Sequence, residues 1–156
     1  MIESMTELIA GHPLFAGLPG DAAATAAGCA RNVVFAAGRL LLAEGDTAST
    51  LYLLRRGRVA IEVHGADRGT VVVETVGPGQ VVGWSWMVPP YQWSFDARAI
   101  EPVGAIAIDG TCLRNKAEAE PAFGYVLLQR IAHMLLERLQ AARTQSLDLY
   151  GDDRTR

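Results

Sequence analysis

The sequence predicts a mainly β fold, a β-sandwich, jelly roll or barrel with helices at both ends of the chain. Three observations carry this. Short apolar runs recur at close spacing between residues 33 and 108, Gly-rich turns separate them, and helical periodicity is confined to the segments before and after.

The elements follow in order. Ile2, Met5, Leu8 and Ile9 stand at helical spacing, and Pro13 ends this short opening helix. Leu14, Phe15 and Leu18 are apolar loop anchors. Asp21 is placed to cap a second short helix running through an Ala-rich stretch to about Arg31. Val33 to Phe35 and Leu40 to Leu42 read as strands around the turn Ala37-Gly38-Arg39, and Glu44-Gly45-Asp46 stops the second. Leu51 to Leu54 and Val59 to Val63 flank a turn at Arg55-Arg56-Gly57-Arg58. Thr70 to Val76, Ser94 to Ile100 and Val103 to Ile108 complete the strands, with Gly77-Pro78-Gly79 as a loop. Leu113 to Glu120 is a short helix stopped by Pro121, and Phe123 to Leu149 a long one with Leu127, Leu128, Ile131, Met134, Leu135, Leu139 and Ala142 on its apolar face. One domain results: N-terminal helices over 1–32, β-roll over 33–109, C-terminal helices over 110–150, and a frayed tail over 151–156.

Composition removes several function classes. The 156 residues suffice for one core without staples, and the formal net charge of −3 supplies no field for nucleic acid or acidic lipid. No apolar run approaches the roughly 18 residues of a membrane span. The N-terminus lacks the basic segment of a secretory signal. Cys29 and Cys112 are far apart, match no zinc or CxxC spacing and read as ordinary small residues of a reducing cytoplasm. His12, His64 and His133 are scattered, so no metal site is expected. No nucleophile–His–acid signature is present; Glu44 and Asp46 are turn residues, Asp96 a strand residue bonding local backbone or Arg98, and the expectation is not an enzyme, with no cofactor. Arg55, Arg56 and Arg58 read as a solvated hairpin tip.

The spacing of Leu41, Leu42, Gly45, Asp46, Ala48, Leu51, Tyr52, Leu53, Leu54 and Gly57 resembles the first signature of cyclic-nucleotide-binding domains, the sensor modules of catabolite-activator-type regulators, kinase regulatory subunits and gated channels. Gly77-Pro78-Gly79-Gln80-Val81-Val82-Gly83 is similar to the loop and strand entering that family's phosphate-binding cassette. The resemblance covers roughly residues 12 to 145 and implies a jelly-roll-like β-roll with a long C-terminal helix. In the family a Gly-Glu opens the cassette and an Arg follows ten residues after the Gly; the Glu takes the ribose hydroxyl and the Arg the cyclic phosphate, helped by amides at a short helix N-terminus. Here Gly83 is kept, Trp84 replaces the Glu and Trp93 the Arg, while Ala97-Arg98-Ala99 matches the next strand without a gap. Tryptophan has one N–H donor and no charge, so the standard mode for cAMP or cGMP is not expected. Arg98 is an odd number of residues from Trp93 and is expected to face away from the pocket.

The cassette is aromatic instead: Trp84, Trp86, Tyr91, Trp93 and Phe95 lie within twelve residues. Three readings stand open: a pocket remodelled for a flatter or less charged ligand, a pocket filled by its own rings, or an exposed docking patch. The candidate pocket residues are Val82, Gly83, Trp84, Ser85, Trp86, Trp93, Ser94 and Phe95. The long helix resembles the one that lids the family pocket or pairs with its twin, and Leu128, Ile131, Leu135 and Ala142 are the candidate homodimer contacts. Relatives that bind DNA carry a helix-turn-helix after this helix; the sequence ends at Arg156, so DNA binding is not expected. The expected function is a stand-alone cytoplasmic sensor, acting through a protein partner and cued by a small molecule other than a conventionally bound cAMP. The alternative is a ligand-free scaffold or interaction module.

Overall fold

The computed structural model describes residues 2–19, 21–67 and 69–153, with side chains to Thr144. Two short helices, α1 (Met5–Ala10) and α2 (Ala22–Ala27), precede eight strands: β1 (Ala30–Phe35), β2 (Leu40–Leu42), β3 (Thr50–Arg56), β4 (Val59–Gly65), β5 (Gly69–Val76), β6 (Val81–Val82), β7 (Asp96–Ala99) and β8 (Val103–Asp109). Helices α3 (Gly110–Ala119) and α4 (Pro121–Asp153) close the chain.

The strands form two antiparallel four-stranded sheets, ordered β1-β8-β3-β6 and β2-β7-β4-β5. Leu51, Leu53, Leu54, Ile106 and Ile108 are fully buried, so β3 and β8 are covered on both faces. That is why their sequences read as unbroken apolar runs rather than as alternating ones. Edge strand β5 is exposed along most of its length, Val72 and Val73 included. Gly57 makes the β3–β4 turn at φ 82°, where a Cβ would meet the carbonyl oxygen of Pro102, so only glycine fits. Both ends of the roll are pinned by caps. Ser4 and Glu7 form a reciprocal capping box on α1, and the Asp109 carboxylate accepts from the Cys112 N–H (2.7 Å) to start α3.

Several expectations are corrected. Asp21 precedes α2, but its side chain makes no capping bond there. The strand placed from Ser94 begins at Asp96, because Trp93 and Tyr91 are tied to the opposite turn by Trp93 N–H to Asp46 O and Ala48 N–H to Tyr91 O. Helix α4 runs past Leu149 to Asp153, and the rest of the 151–156 tail lies outside the described residues. The two cysteines are not ordinary unpaired residues: Cys29 and Cys112 are joined by a disulfide across 83 residues of chain. Sequence distance misled here. Strand pairing sets Ala30 opposite Ile108 and Cys29 beside Asp109, the cap of α3, whose first turn carries Cys112.

Candidate functional site

The cassette runs from the end of β6 to the start of β7. Val82, fully buried, pairs with Tyr52 and aims the chain into Gly83. Gly83 adopts φ 93°, and a Cβ there would lie 2.7 Å from the Trp93 ring and 2.9 Å from the Thr50 carbonyl oxygen. The glycine is therefore required twice, by its backbone angle and by the ring pressed against it. A 3₁₀ turn, Ser85–Met87, follows, and Trp86 folds back so that its indole N–H donates to Gly83 O (3.1 Å). Tyr91 sits at φ 55°, and its ring lies 4.2 Å beneath the Arg114 guanidinium of α3. Arg114 also donates to the Trp86 carbonyl, so one cation fastens both halves of the cassette to α3.

The aromatic side chains divide into core and rim. Trp93 is 5% exposed and Trp86 2%, and Phe95 is buried with them. Trp84 is half-buried, with its ring centroid 5.7 Å from Phe95 and the Arg138 guanidinium 4.7 Å above its face. Ser85 is half-buried and Ser94 exposed; neither side chain is fixed by a hydrogen bond.

Arg138 is not among the residues singled out from the sequence; it stands on the long helix beside its apolar face. It stacks on Trp84, the residue after Gly83. Its guanidinium grips Glu74 of β5 through both carboxylate oxygens (2.7 and 2.8 Å) and donates to Val81 O (3.1 Å). The signal was present in the spacing, because Leu127, Ile131, Met134 and Arg138 run down one side of the helix at intervals of three and four. A cavity of about 440 Å³ opens beside this clasp, lined by Val73, Glu74, Thr75, Gln80, Glu137 and Arg138 among others. A second, of about 350 Å³, lies on the α3–α4 side, against Trp86, Met87, Tyr91, Arg114, Tyr125 and Leu128.

Arg98 serves neither cavity. It bonds Glu62 (2.8 Å) and Gly38 O (2.8 Å) on the face that Ala60, Glu62 and Asp96 share. The expected direction therefore holds, although counting from Trp93 was the wrong reason, since Trp93 is not in the strand. Asp96 does not pair with Arg98 but accepts from Glu44 N–H (2.7 Å) and binds His64 Nε2 (2.7 Å). The Asp96 hydrogen bond raises the His64 pKa. Burial alone would raise the Asp96 pKa, but the Glu44 N–H, His64 and Arg98 outweigh it and hold the carboxyl below its ordinary value. His12 is buried between Leu54 O and Leu14 N–H, and burial lowers its pKa, so it is a neutral core residue. Among the described residues no group of three or more His, Cys, Asp or Glu could hold a metal, and no helix is long and apolar enough to cross a membrane.

On α4, Leu128 and Ala142 are exposed and Leu135 half-buried. Ile131 is 1% exposed and packs on its own roll, which removes it from the candidate dimer contacts.

Comparison with known proteins agrees with this architecture. The sequence profile of the cyclic nucleotide-binding domain matches residues 32–120, more than half of the chain. A CRP-like cAMP-activated global transcriptional regulator of Mycobacterium tuberculosis is 27% identical over 149 residues, covering 96% of this chain. The chain spans 65% of that regulator's length. A solved cyclic nucleotide-binding protein of Geobacter metallireducens GS-15 is 31% identical with a TM-score of 0.77, covering 89% of this chain and 99% of its own. The N-terminal domain of a Streptomyces coelicolor A3(2) transcriptional regulator is 25% identical with a TM-score of 0.67, covering 86% and 94%. The profile match, the Geobacter relative and the two-sheet roll with its lidding helix together place this chain in the cyclic nucleotide-binding domain family.

Proposed function

We propose that this protein is a regulatory module that works through a protein partner and does not bind cAMP or cGMP in the family's usual way, because its own rings occupy the nucleotide position. The observation that carries this reading is Trp93, 5% exposed and pressed on Gly83 where the family's phosphate-binding Arg would stand. A guanidinium at that place offers a fork of donors to an anion, whereas an indole offers one N–H and a large apolar face. Glu74 takes up Arg138, so the cation over Trp84 is already paired with a carboxylate.

One observation favours a second reading. Trp84 is only half-buried beneath the Arg138 guanidinium, and a cavity lined by Arg138 and Glu74 opens beside that cation. An acidic ligand that exchanged places with Glu74 would find a cation there, held by an aromatic face. In either reading the protein acts as a cytoplasmic homodimer paired through α4, supported by the exposed stripe Tyr125, Leu128, Leu139 and Ala142.

The test is calorimetric titration of the purified protein with cAMP and cGMP. The expected result is no saturable heat at micromolar ligand. Losing a charge-assisted partner costs on the order of 1.5–3 kcal/mol, about one to two powers of ten in affinity, before the steric block is counted. Sub-micromolar binding of either nucleotide contradicts the proposal.

A further inference from the structure

We propose that Cys29 and Cys112 form a thiol–disulfide redox site that sets how firmly α3 holds the aromatic cassette. The sulfurs are bonded, with Cα atoms 5.8 Å apart. Cys29 lies between α2 and β1, and Cys112 in the first turn of α3. Three features suit this pair to exchange rather than to permanent cross-linking. Both residues are half-buried, so a small thiol can reach them. Backbone contacts hold them together independently of the bond: Asp109 N–H donates to Cys29 O (2.9 Å), and the Ala30–Ile108 pair of the β1–β8 ladder lies directly alongside. Opened thiols therefore remain close enough to rejoin. The charges nearby also favour a sulfur anion. Lys116 places its ammonium where a side chain of Gly28, the residue before Cys29, would be, and Cys112 lies in the first turn of α3 at the positive end of its dipole, offset in part by the Asp109 carboxylate that caps it.

The link to the cassette runs through α3. Two residues beyond Cys112, Arg114 covers Tyr91 and donates to Trp86 O, and Gly110 packs so closely on Trp86 that a Cβ would lie 2.7 Å from it. The first turn of α3 is thus bound covalently to the N-terminal segment on one side and by a hydrogen bond, a cation–π contact and close packing to the cassette on the other. Opening the disulfide removes the covalent tie and leaves the start of α3 held by its cap, by the Asp109–Cys29 and Gly110–Ser49 backbone hydrogen bonds and by side-chain contacts.

The chemistry is two-electron exchange. A reductant thiolate attacks one cysteine sulfur, the protein S–S bond breaks, and a mixed disulfide forms. A second reductant thiol resolves it, leaving both cysteines as thiols with two protons gained and the reductant as its own disulfide. Oxidation is the reverse, with a small-molecule disulfide as electron acceptor.

The experiment equilibrates the full chain in glutathione buffers of graded reduced-to-oxidised ratio, traps thiols by alkylation and weighs the protein. Hydrogen exchange of the cassette is measured at both ends of the series. The expected result is one transition between no and two alkylated cysteines, with cassette amides exchanging about tenfold faster when reduced. The Cys29→Ser/Cys112→Ser double variant should match the reduced protein at every ratio, and Arg114→Ala should loosen the cassette with the bond closed. The proposal is overturned by a bond that stays closed at the most reducing ratio, by thiols that fail to pair at the most oxidising one, or by a transition that leaves cassette exchange unchanged. Loss of the far-UV circular dichroism signal on reduction also overturns it, since the bond would then be a structural staple.

Discussion

Asp96 shows how much one side chain can organise here. It is buried, sits at the start of β7, and joins the β2–β3 turn through Glu44 N–H to β4 through His64. The two shifts have opposite signs and give a defined pH window. Asp96 is held low, so its contribution is present above the usual carboxylate pKa and is lost as pH falls through its lowered value. His64 is held high, so its contribution is complete below the usual imidazole pKa and is lost as pH rises through its raised value. The clasp is fully formed only between those limits. Asp96→Asn should move the His64 titration midpoint, followed by its imidazole NMR signals, back down toward the ordinary imidazole value. A midpoint that does not move would show that Asp96 is not the partner that charges His64. The sequence marked Asp96 as a strand acid bonding local backbone or Arg98. The backbone partner, Glu44 N–H, was within that reading, but His64 was not, because it comes into reach only through the register that sets Glu62 opposite Asp96.

At the scale of elements, α4 carries two apolar stripes of different use. Phe123, Leu127 and Ile131 are buried on the roll, at four-residue intervals. Tyr125, Leu128, Ala132, Leu135, Leu139 and Ala142 alternate spacings of three and four, the pattern of a helix that pairs with another, and most of them are exposed. Such a stripe left in water supports the proposed pairing through α4. Leu139 is 48% exposed, so Leu139→Glu should leave the melting temperature nearly unchanged while light scattering falls from the mass of two chains to that of one. A wild-type protein that is already monomeric at high concentration removes the dimer from the account. The broad apolar face of this helix was legible in the sequence, but its division into two stripes was not. Hydrophobicity alone cannot say which of two adjacent rows a small roll covers, and Ile131 was placed on the wrong one for that reason. The eight-strand layout was largely legible, because glycine turns and apolar runs mark strands locally. The Cys29–Cys112 bond was not, since it depends on a pairing between the first and last strands.

At the scale of the whole molecule, the two-sheet roll and its long C-terminal helix follow the family architecture, and the proposal places the departure in the binding chemistry. The sequence suggested that departure through Trp84 and Trp93, at the two positions that resemble the family's anchors. It left open whether those rings line a pocket, fill it or face a partner, because burial is a property of the folded neighbourhood. Trp93 against Gly83, Trp84 against Phe95 and beneath Arg138, and Arg138 locked to Glu74 form one continuous set of contacts from sheet to lid. The proposed self-filled site would transmit no occupancy signal of the ordinary kind, and regulation would then fall to α3, α4 or a partner.

Equilibrium denaturation of Trp93→Ala tests the self-filled site most directly. If the ring is core, its removal leaves a void beside Gly83 and should cost about 3–5 kcal/mol, as large aromatic truncations do. An unchanged unfolding free energy, together with loss of a bound small molecule or of partner capture, would contradict the account and return Trp93 to the role of a recognition surface.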